Sequence, residues 1–454
     1  MQPAQENKMG VMPITPLVLS MSFPIMLSML VQALYNVVDS LFVAHYSHKA
    51  LTAVALAFPM QSLVIALSVG TSIGVNSLVS RKLGAKDQAG ANKAAGNSIV
   101  LAVLGWAFFA ILALFFTKPF FTFFTDDPEL IKMGTQYLFV CLFLSLGIFV
   151  DINNERILQS TGDTVRPMII QFSGAITNII LDPIMIFGLF GFPRLGILGA
   201  AIATVVGQHV AALLSIYYVR KNKEITITKE DFKLDKRIVK DIYIVGVPSI
   251  FMQAIGTLLT TSLNKILIAF GTDAVAVFGI YFRLQSFIFM PIFGLNSGMI
   301  PIIGYNYGAR KPKRIMKTIN VGIVIALIIM AIGFALFTFM PHILLRWFNA
   351  SGEMLAIGVV ALRRLSMCFL MAGVSIALSA LFQGMGNGYY SLIISITRQL
   401  VFLLPAAYFL GRFFGLDALW YSFFIAEFSA FFLSLLFFSR IHRNHIKPLL
   451  KAAL

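Results

Sequence analysis

The sequence predicts an all-α integral membrane protein of twelve transmembrane helices, arranged as two six-helix bundles related by a parallel internal repeat. Three observations carry this prediction. The 454 residues are 58% hydrophobic and only 12% charged, against about 25% charge in a soluble domain. The apolar runs recur at lengths that suit a helix crossing a bilayer. The first half of the chain also aligns with the second at one fixed offset.

A helix needs roughly 20 apolar residues to cross the hydrocarbon core. Such runs lie near 17–44, 51–80, 94–117, 133–158, 166–190 and 196–219. Six more follow a polar stretch, near 243–270, 274–305, 315–340, 354–383, 389–411 and 415–439. The organisation read from this is a first bundle over 1–219, a cytoplasmic linker over 220–240 and a second bundle over 241–454.

The net charge of +16 points to membrane topology rather than nucleic-acid binding, because the basic residues sit in short loops. Loops after even-numbered spans carry Arg81, Lys82, Lys86 and Lys93, then Arg220 to Lys240, then Arg310 to Lys317. The opposite loops offer only Lys49, Lys118, Lys132, Arg194, Arg346 and Arg412. The basic side is cytoplasmic by this rule, and an even helix count puts both termini there. Cys141 and Cys368 lie in apolar runs and read as packed thiols. The leader MQPAQENKMGVMPITP lacks the pattern of a cleaved signal.

The repeat is the most informative feature. At an offset of 224 residues Pro24 falls on Pro248, Phe58 on Phe282 and Gln61 on Gln285. Gly70 meets Gly294, Gly74 meets Gly298, Gln159 meets Gln383 and Gly162 meets Gly386. Chance matches are cheap for Leu or Ala, but not for Pro, Gln and Gly at one spacing. Six spans per half give both halves the same orientation, related by an axis along the membrane normal. Two bundles of this kind can rock to open a central cavity to alternate sides, as a transporter requires.

Few acids lie within spans: Asp39, Asp151, Glu155, Asp182 and Glu427. An ionisable group at membrane depth is costly unless hydrated or paired, which makes each a functional candidate. Asp39 and Asp182 are the deepest. Asn178 precedes Asp182 by one turn and shares its face. Pro183 cannot donate to the carbonyl of Ile179. A carboxylate, an amide oxygen and a freed carbonyl suit Na⁺, and the carboxyl alone suits H⁺. The bland readings are a local helix kink at Asp182-Pro183 and an Asp39 reaching the headgroups. In the second bundle, Arg398 is the partner on offer for Glu427.

Several motifs together resemble the multidrug and toxic compound extrusion (MATE) family, its DinF-like and MepA-like bacterial branch in particular. They are YNVVDSLFVA in the first span, FPMQSLVIALSVGTSIGVNSLVSRKLGAKD in the second and its repeat FRLQSFIFMPIFGLNSGMIPIIGYNYGARK, NIILDPIMIFG in the fifth, and the pair QSTGD and QGMGN. The likeness covers about residues 14–440. It implies two bundles in a V and export of organic cations and other amphipathic drugs in exchange for Na⁺ or H⁺. It further implies a coupling site of Asp39, Asp182 and Asn178, joined by Glu155, Thr204 and Gln32, with Na⁺ possible at Asp39, Asn178 and Asp182. Glu155 has an equal alternative as an inner-end residue paired with Arg156. Acids that another branch carries in the seventh and tenth spans are missing here, which puts coupling in the first bundle.

Tyr35, Asn36, Phe58, Gln61, Phe282, Arg283, Gln285, Phe287 and Met290 sit on spans expected to flank the substrate cleft. Aromatics and Met offer adaptable surface to flat amphipathic molecules, although most of the 43 Phe and 20 Met must serve packing. The sequence offers no catalytic motif, so no enzyme is expected, and no cofactor beyond the coupling ion. The expected partners are small drug-like molecules and membrane lipid, with no nucleic acid and a monomeric state, in a bacterial inner membrane. The competing reading is a lipid-linked oligosaccharide flippase of the same superfamily, to which Arg283, Lys265, Arg363, Arg364 and Arg398 lend some support.

Overall fold

The computed structural model describes residues 7–452, without the side chains of Thr257 and Ala452. The first six residues of the leader lie outside the described residues. Helices account for nearly all of the rest, and no strand occurs among the described residues. Ten helices are long and apolar enough to cross a membrane, and two bent helix pairs bring the spans to twelve.

In the first half the spans are Ile14–Tyr46, His48–Gly84, Gln88–Phe124, the pair Pro128–Phe143 and Leu146–Ser160, Val165–Phe187 and Ile197–Arg220. In the second they are Lys236–Leu267, Thr272–Gly308, Pro312–Phe339, the pair Gly352–Ser366 and Phe369–Gly384, Gly388–Phe414 and Leu416–Lys451. We number them spans 1 to 12. Local chemistry starts several of them. Asp87 caps span 3 by accepting from the Gly90 N–H at 2.9 Å. Asp127 caps span 4 by accepting from the Glu129 N–H at 2.9 Å, with Pro128 in the first turn, where no N–H is needed.

Spans 4 and 10, expected as single helices, are each broken, with bends of 42° and 46°. The breaks fall at Leu144-Ser145 and Met367-Cys368, within one residue of each other in the repeat register and with no proline. Span 11 also departs from a plain helix, with a π-helical segment at Thr397–Leu403.

The chain forms two compact units: Met1–Met26 with Phe251–Leu454, and Leu27–Ile250. The division therefore falls inside spans 1 and 7, just past Pro24 and Pro248, and not within 220–240. The first part of span 1 packs in the unit of the second half, and the first part of span 7 packs in the unit of the first half. Glycines make these crossings possible. A Cβ on Gly70 would stand 2.6 Å from the backbone N of Ile250, and one on Gly294 would stand 2.7 Å from Cα of Met26. Similarly, Gly298 abuts Ser22, and Gly74 abuts Ile242 and Gly246. Met26 and Ile250 are themselves repeat partners, so the same crossing is built twice.

The segments leading into spans 1 and 7 are docked as well. Ahead of span 1, the short helix Lys8–Val11 is held by Asn306 Nδ2, which donates to the Met9 carbonyl at 2.9 Å, and by Arg314 Nη2, which donates to the Met12 carbonyl at 2.7 Å. Ahead of span 7, residues 220–240 lie against span 3. Asn97 Nδ2 donates to the carbonyls of Asp231 and Lys233 at 2.9 and 3.1 Å, and Lys93 pairs with Asp235 at 2.6 Å. The stretch read as a linker is thus a fixed part of the Leu27–Ile250 unit. The Lys93 ammonium, with the Arg237 N–H, holds the Asp235 carboxyl below its ordinary pKa of 3.8.

Candidate functional site

The expected coupling residues assemble inside the Leu27–Ile250 unit. Gln32, Tyr35, Asn36 and Asp39 recur at the spacing of one helical face, and all four line a cavity of about 300 Å³. Across it stand Phe58 and Gln61 of span 2, Tyr137 and Cys141 of span 4, and Thr204 and Gln208 of span 6. Span 5 continues as helix through Pro183 and carries Asn178 and Asp182, both buried.

The carboxyl groups of Asp39 and Asp182 lie within hydrogen-bonding reach of each other. Asn178 Nδ2 donates to Asp182 Oδ1 at 3.4 Å and to Thr204 Oγ1 at 3.3 Å. These are long hydrogen bonds. Thr204 also lines the cavity beside Tyr35, which links the acids to the cavity wall. Three acceptor oxygens have no donor: Asp39 Oδ1, Asp182 Oδ2 and Asn178 Oδ1. Buried acceptors are rarely left unmet, and a set limited to carboxyl, amide and hydroxyl oxygens suits a hard monovalent cation or a proton better than a soft transition metal.

Close helix approach holds this arrangement. A Cβ on Gly207 of span 6 would stand 2.7 Å from the Gly174 carbonyl oxygen of span 5, and 3.2 Å from Cβ of Asn178. The two glycines bring Thr204 within reach of Asn178.

Glu155 does not join this group. It is buried, lines no part of the cavity, and has Asp151 and Arg156 as its charged neighbours. Its Oε1 has no hydrogen-bond partner, and the Arg156 guanidinium instead donates to Gln159 Oε1 at 2.8 Å. Of the expected cleft residues, Tyr35, Asn36, Phe58 and Gln61 line the cavity. Those of span 8 belong to the other unit. There Phe282 packs edge-on against Phe278 at 4.9 Å, Arg283 and Phe287 are exposed, and Gln285 and Met290 are half-buried. Sequence reasoning missed Tyr137, Cys141 and Gln208. Gln61 Nε2 donates to the Tyr137 hydroxyl at 3.2 Å, a contact whose only sequence signal was a Tyr inside an apolar span.

Comparison with known proteins identifies the family. The MatE family profile matches residues 24–184 and again 248–409, the two matches starting at the repeat partners Pro24 and Pro248. The chain belongs to the MatE family. It is 27% identical over 416 residues to a multidrug export protein MepA of Staphylococcus haemolyticus, covering 91% of each chain. It is 26% identical to a probable multidrug resistance protein NorM of Thermotoga maritima, covering 88% of this chain and 86% of that one. A solved structure described as the outward-facing conformation of a multidrug resistance MATE family transporter of the MOP superfamily superposes with a TM-score of 0.91 at 29% identity, over 99% of this chain and 100% of that one. This MatE chain is thus a multi-pass membrane transporter and not an enzyme.

Proposed function

We propose that this chain exports amphipathic drug-like compounds, organic cations among them, across a bacterial inner membrane in exchange for Na⁺ or H⁺, with both termini cytoplasmic. The observation that carries the reading is Asp39, which lines the same cavity as Tyr35, Phe58 and Gln61 and has the buried Asp182 carboxyl within reach behind it. The names of the MepA and NorM relatives support the drug-export part. The distribution of basic loops supports the orientation.

Two ionised carboxyls in contact repel strongly where water is scarce. One proton or one Na⁺ between them relieves that repulsion, and Asn178 and Thr204 supply further oxygens to a metal cation. Relief lets Asp39 close on Asp182 and shifts the face of span 1 that carries Gln32, Tyr35 and Asn36. A cationic drug in the cavity gains from the ionised pair and loses from the neutralised one, so drug and ion compete. Competition drives transport only if the ion binds the two access states unequally. One charge crossing 100 mV releases about 2.3 kcal/mol, which supports somewhat under a hundred-fold gradient of a neutral drug at about 1.4 kcal/mol per decade.

The test is efflux from proteoliposomes under imposed Na⁺ or H⁺ gradients, with Asp39→Asn and Asp182→Asn. Loss of gradient-driven efflux in both variants, with binding of a neutral drug retained, is the expected result. Undiminished coupling in both would remove this site from the mechanism.

A further inference from the structure

A second cavity, of about 680 Å³, lies in the unit that contains Phe251–Leu454. One wall is the last turns of span 7, where Ser262, Lys265, Ile266 and Ala269 recur along one helical face. The other wall is the end of span 11, with Leu404, Tyr408 and Arg412. Gly411 lets the two walls close at the floor, since a Cβ there would stand 3.2 Å from the Phe270 ring.

The polar chemistry of this cavity has one sign. Lys265 and Arg412 line it, Ser262 and Tyr408 add hydroxyls, and no carboxylate is among the lining residues. Neither cation takes part in an ion pair among the described residues. In the same unit, by contrast, Arg364 is paired with Asp417 and Arg398 with Glu427. The positive-inside rule does not explain the two cations either, because they lie at the end of the spans opposite the basic loops.

The surroundings are apolar. Phe409, Phe413 and Phe414 next to the span 11 wall are exposed, as is Ile268 beside span 7. These rings give the surface beside the cavity an apolar character. A ligand for this cavity therefore needs an anionic head for Lys265 and Arg412 and an apolar body that leaves sideways into the bilayer. The same cations repel an organic cation, which separates this cavity from the one beside Asp39. Basic pockets between transmembrane helices on the cytoplasmic side hold anionic headgroups in this way, and the same charge chemistry is set here at the opposite end of the spans.

We propose that the Lys265/Arg412 cavity is a binding site for the phosphate headgroup of an anionic phospholipid. The inference does not depend on the drug-export reading.

The experiment is native mass spectrometry of the purified full chain, titrated with phosphatidylglycerol, phosphatidylcholine or inorganic phosphate. The wild type should retain phosphatidylglycerol about thirtyfold better than phosphatidylcholine, the scale expected of two basic side chains at about 1 kcal/mol each near an anionic headgroup. Lys265→Gln with Arg412→Gln should abolish that preference. Lys265→Arg with Arg412→Lys should keep it, which guards against a folding defect in the neutral variant. Arg440→Gln with Arg443→Gln, at the far end of span 12, should also leave it unchanged. Equal retention of the two lipids by the wild type would overturn the proposal. So would a preference that survives the neutral double variant, or binding of inorganic phosphate without any preference between the lipids.

Discussion

Spans 5 and 6 and their repeats, spans 11 and 12, solve the problem of buried charge in opposite ways. In the first pair Asn178 bonds Asp182 and Thr204, and Asp39 of span 1 adds a second carboxyl to the group. In the second pair Arg398 meets Glu427 at 3.1 Å, the pairing expected from the sequence. Across the 224-residue offset Gly174 becomes Arg398, Ala203 becomes Glu427, and Asp182 becomes Ala406. Asp39 becomes Leu263, which is fully buried. The glycine contact between Gly174 and Gly207 has no room for a side chain, whereas its repeat holds an arginine beside a π-helical segment. Such segments accommodate an inserted or altered residue at a local cost in helix regularity. Among the described residues, the Asp39/Asp182 pair of one bundle thus has no basic partner, and Glu427 of the other is paired with an arginine.

The sharpest way to break this contrast is to remove the acid that has no protein cation. Asp182→Asn should reduce gradient-driven accumulation of a neutral drug by somewhat under a hundred-fold at 100 mV, while Glu427→Gln should leave most of it. Efflux assays run side by side on the two variants measure this, and equal losses would erase the distinction between the units. A second effect concerns stability. Arg398→Leu alone strands Glu427 and should cost about 3 kcal/mol, near the low end for a broken buried pair because a quarter of the Arg398 side chain is exposed. Arg398→Leu with Glu427→Leu should recover most of that loss, as read from thermal unfolding in detergent.

Packing gives a smaller effect. Gly207→Ala places a methyl against the Gly174 carbonyl and should cost about 1–3 kcal/mol through overpacking. It should also weaken ion binding by pushing Thr204 away from Asn178, whereas Phe431→Leu at the repeat position should leave ion affinity unchanged. Isothermal titration with Na⁺, and with protons by pH jump, compares the two. The smallest expected effect is at the docked segment. Because the Asp235 pKa lies below 3.8 in the folded chain, its ion pair with Lys93 contributes fully above that pH and fades as the pH falls beneath it. Amides of residues 229–235 should exchange a few-fold faster at pH 3 than at pH 6 relative to neighbouring amides, and Lys93→Met should remove the difference.

Much of this was legible in the sequence, for identifiable reasons. Twelve apolar runs, the repeat and the acids at membrane depth follow from composition and spacing alone, and the one-turn spacing of Asn178 and Asp182 put them on a shared face. The breaks at Leu144-Ser145 and Met367-Cys368 were hidden because hydropathy runs unbroken through them and no proline marks them. Gly70, Gly74, Gly294 and Gly298 were visible as repeat identities. Their role as crossing points was not, since nothing local to a glycine says which distant helix will approach it. Glu155 shows the limit of reasoning by motif. A carboxylate in span 4 was legible, but its facing toward Asp151 and Arg156 is decided by the phase of a helix that breaks at Ser145.

The crossed first parts of spans 1 and 7 carry a consequence for biogenesis. The unit holding the Asp39/Asp182 pair includes Ile250, so it is not complete when residue 219 leaves the ribosome. The described residues up to Met26, made early, wait for Phe251 onward before their packing partners exist. The insertion order is thus a loop rather than a line, with the earliest helix among the last to be fully seated. Neither half-gene product would be self-sufficient, and the natural place to divide this chain into two co-expressed, complementing fragments is not its middle.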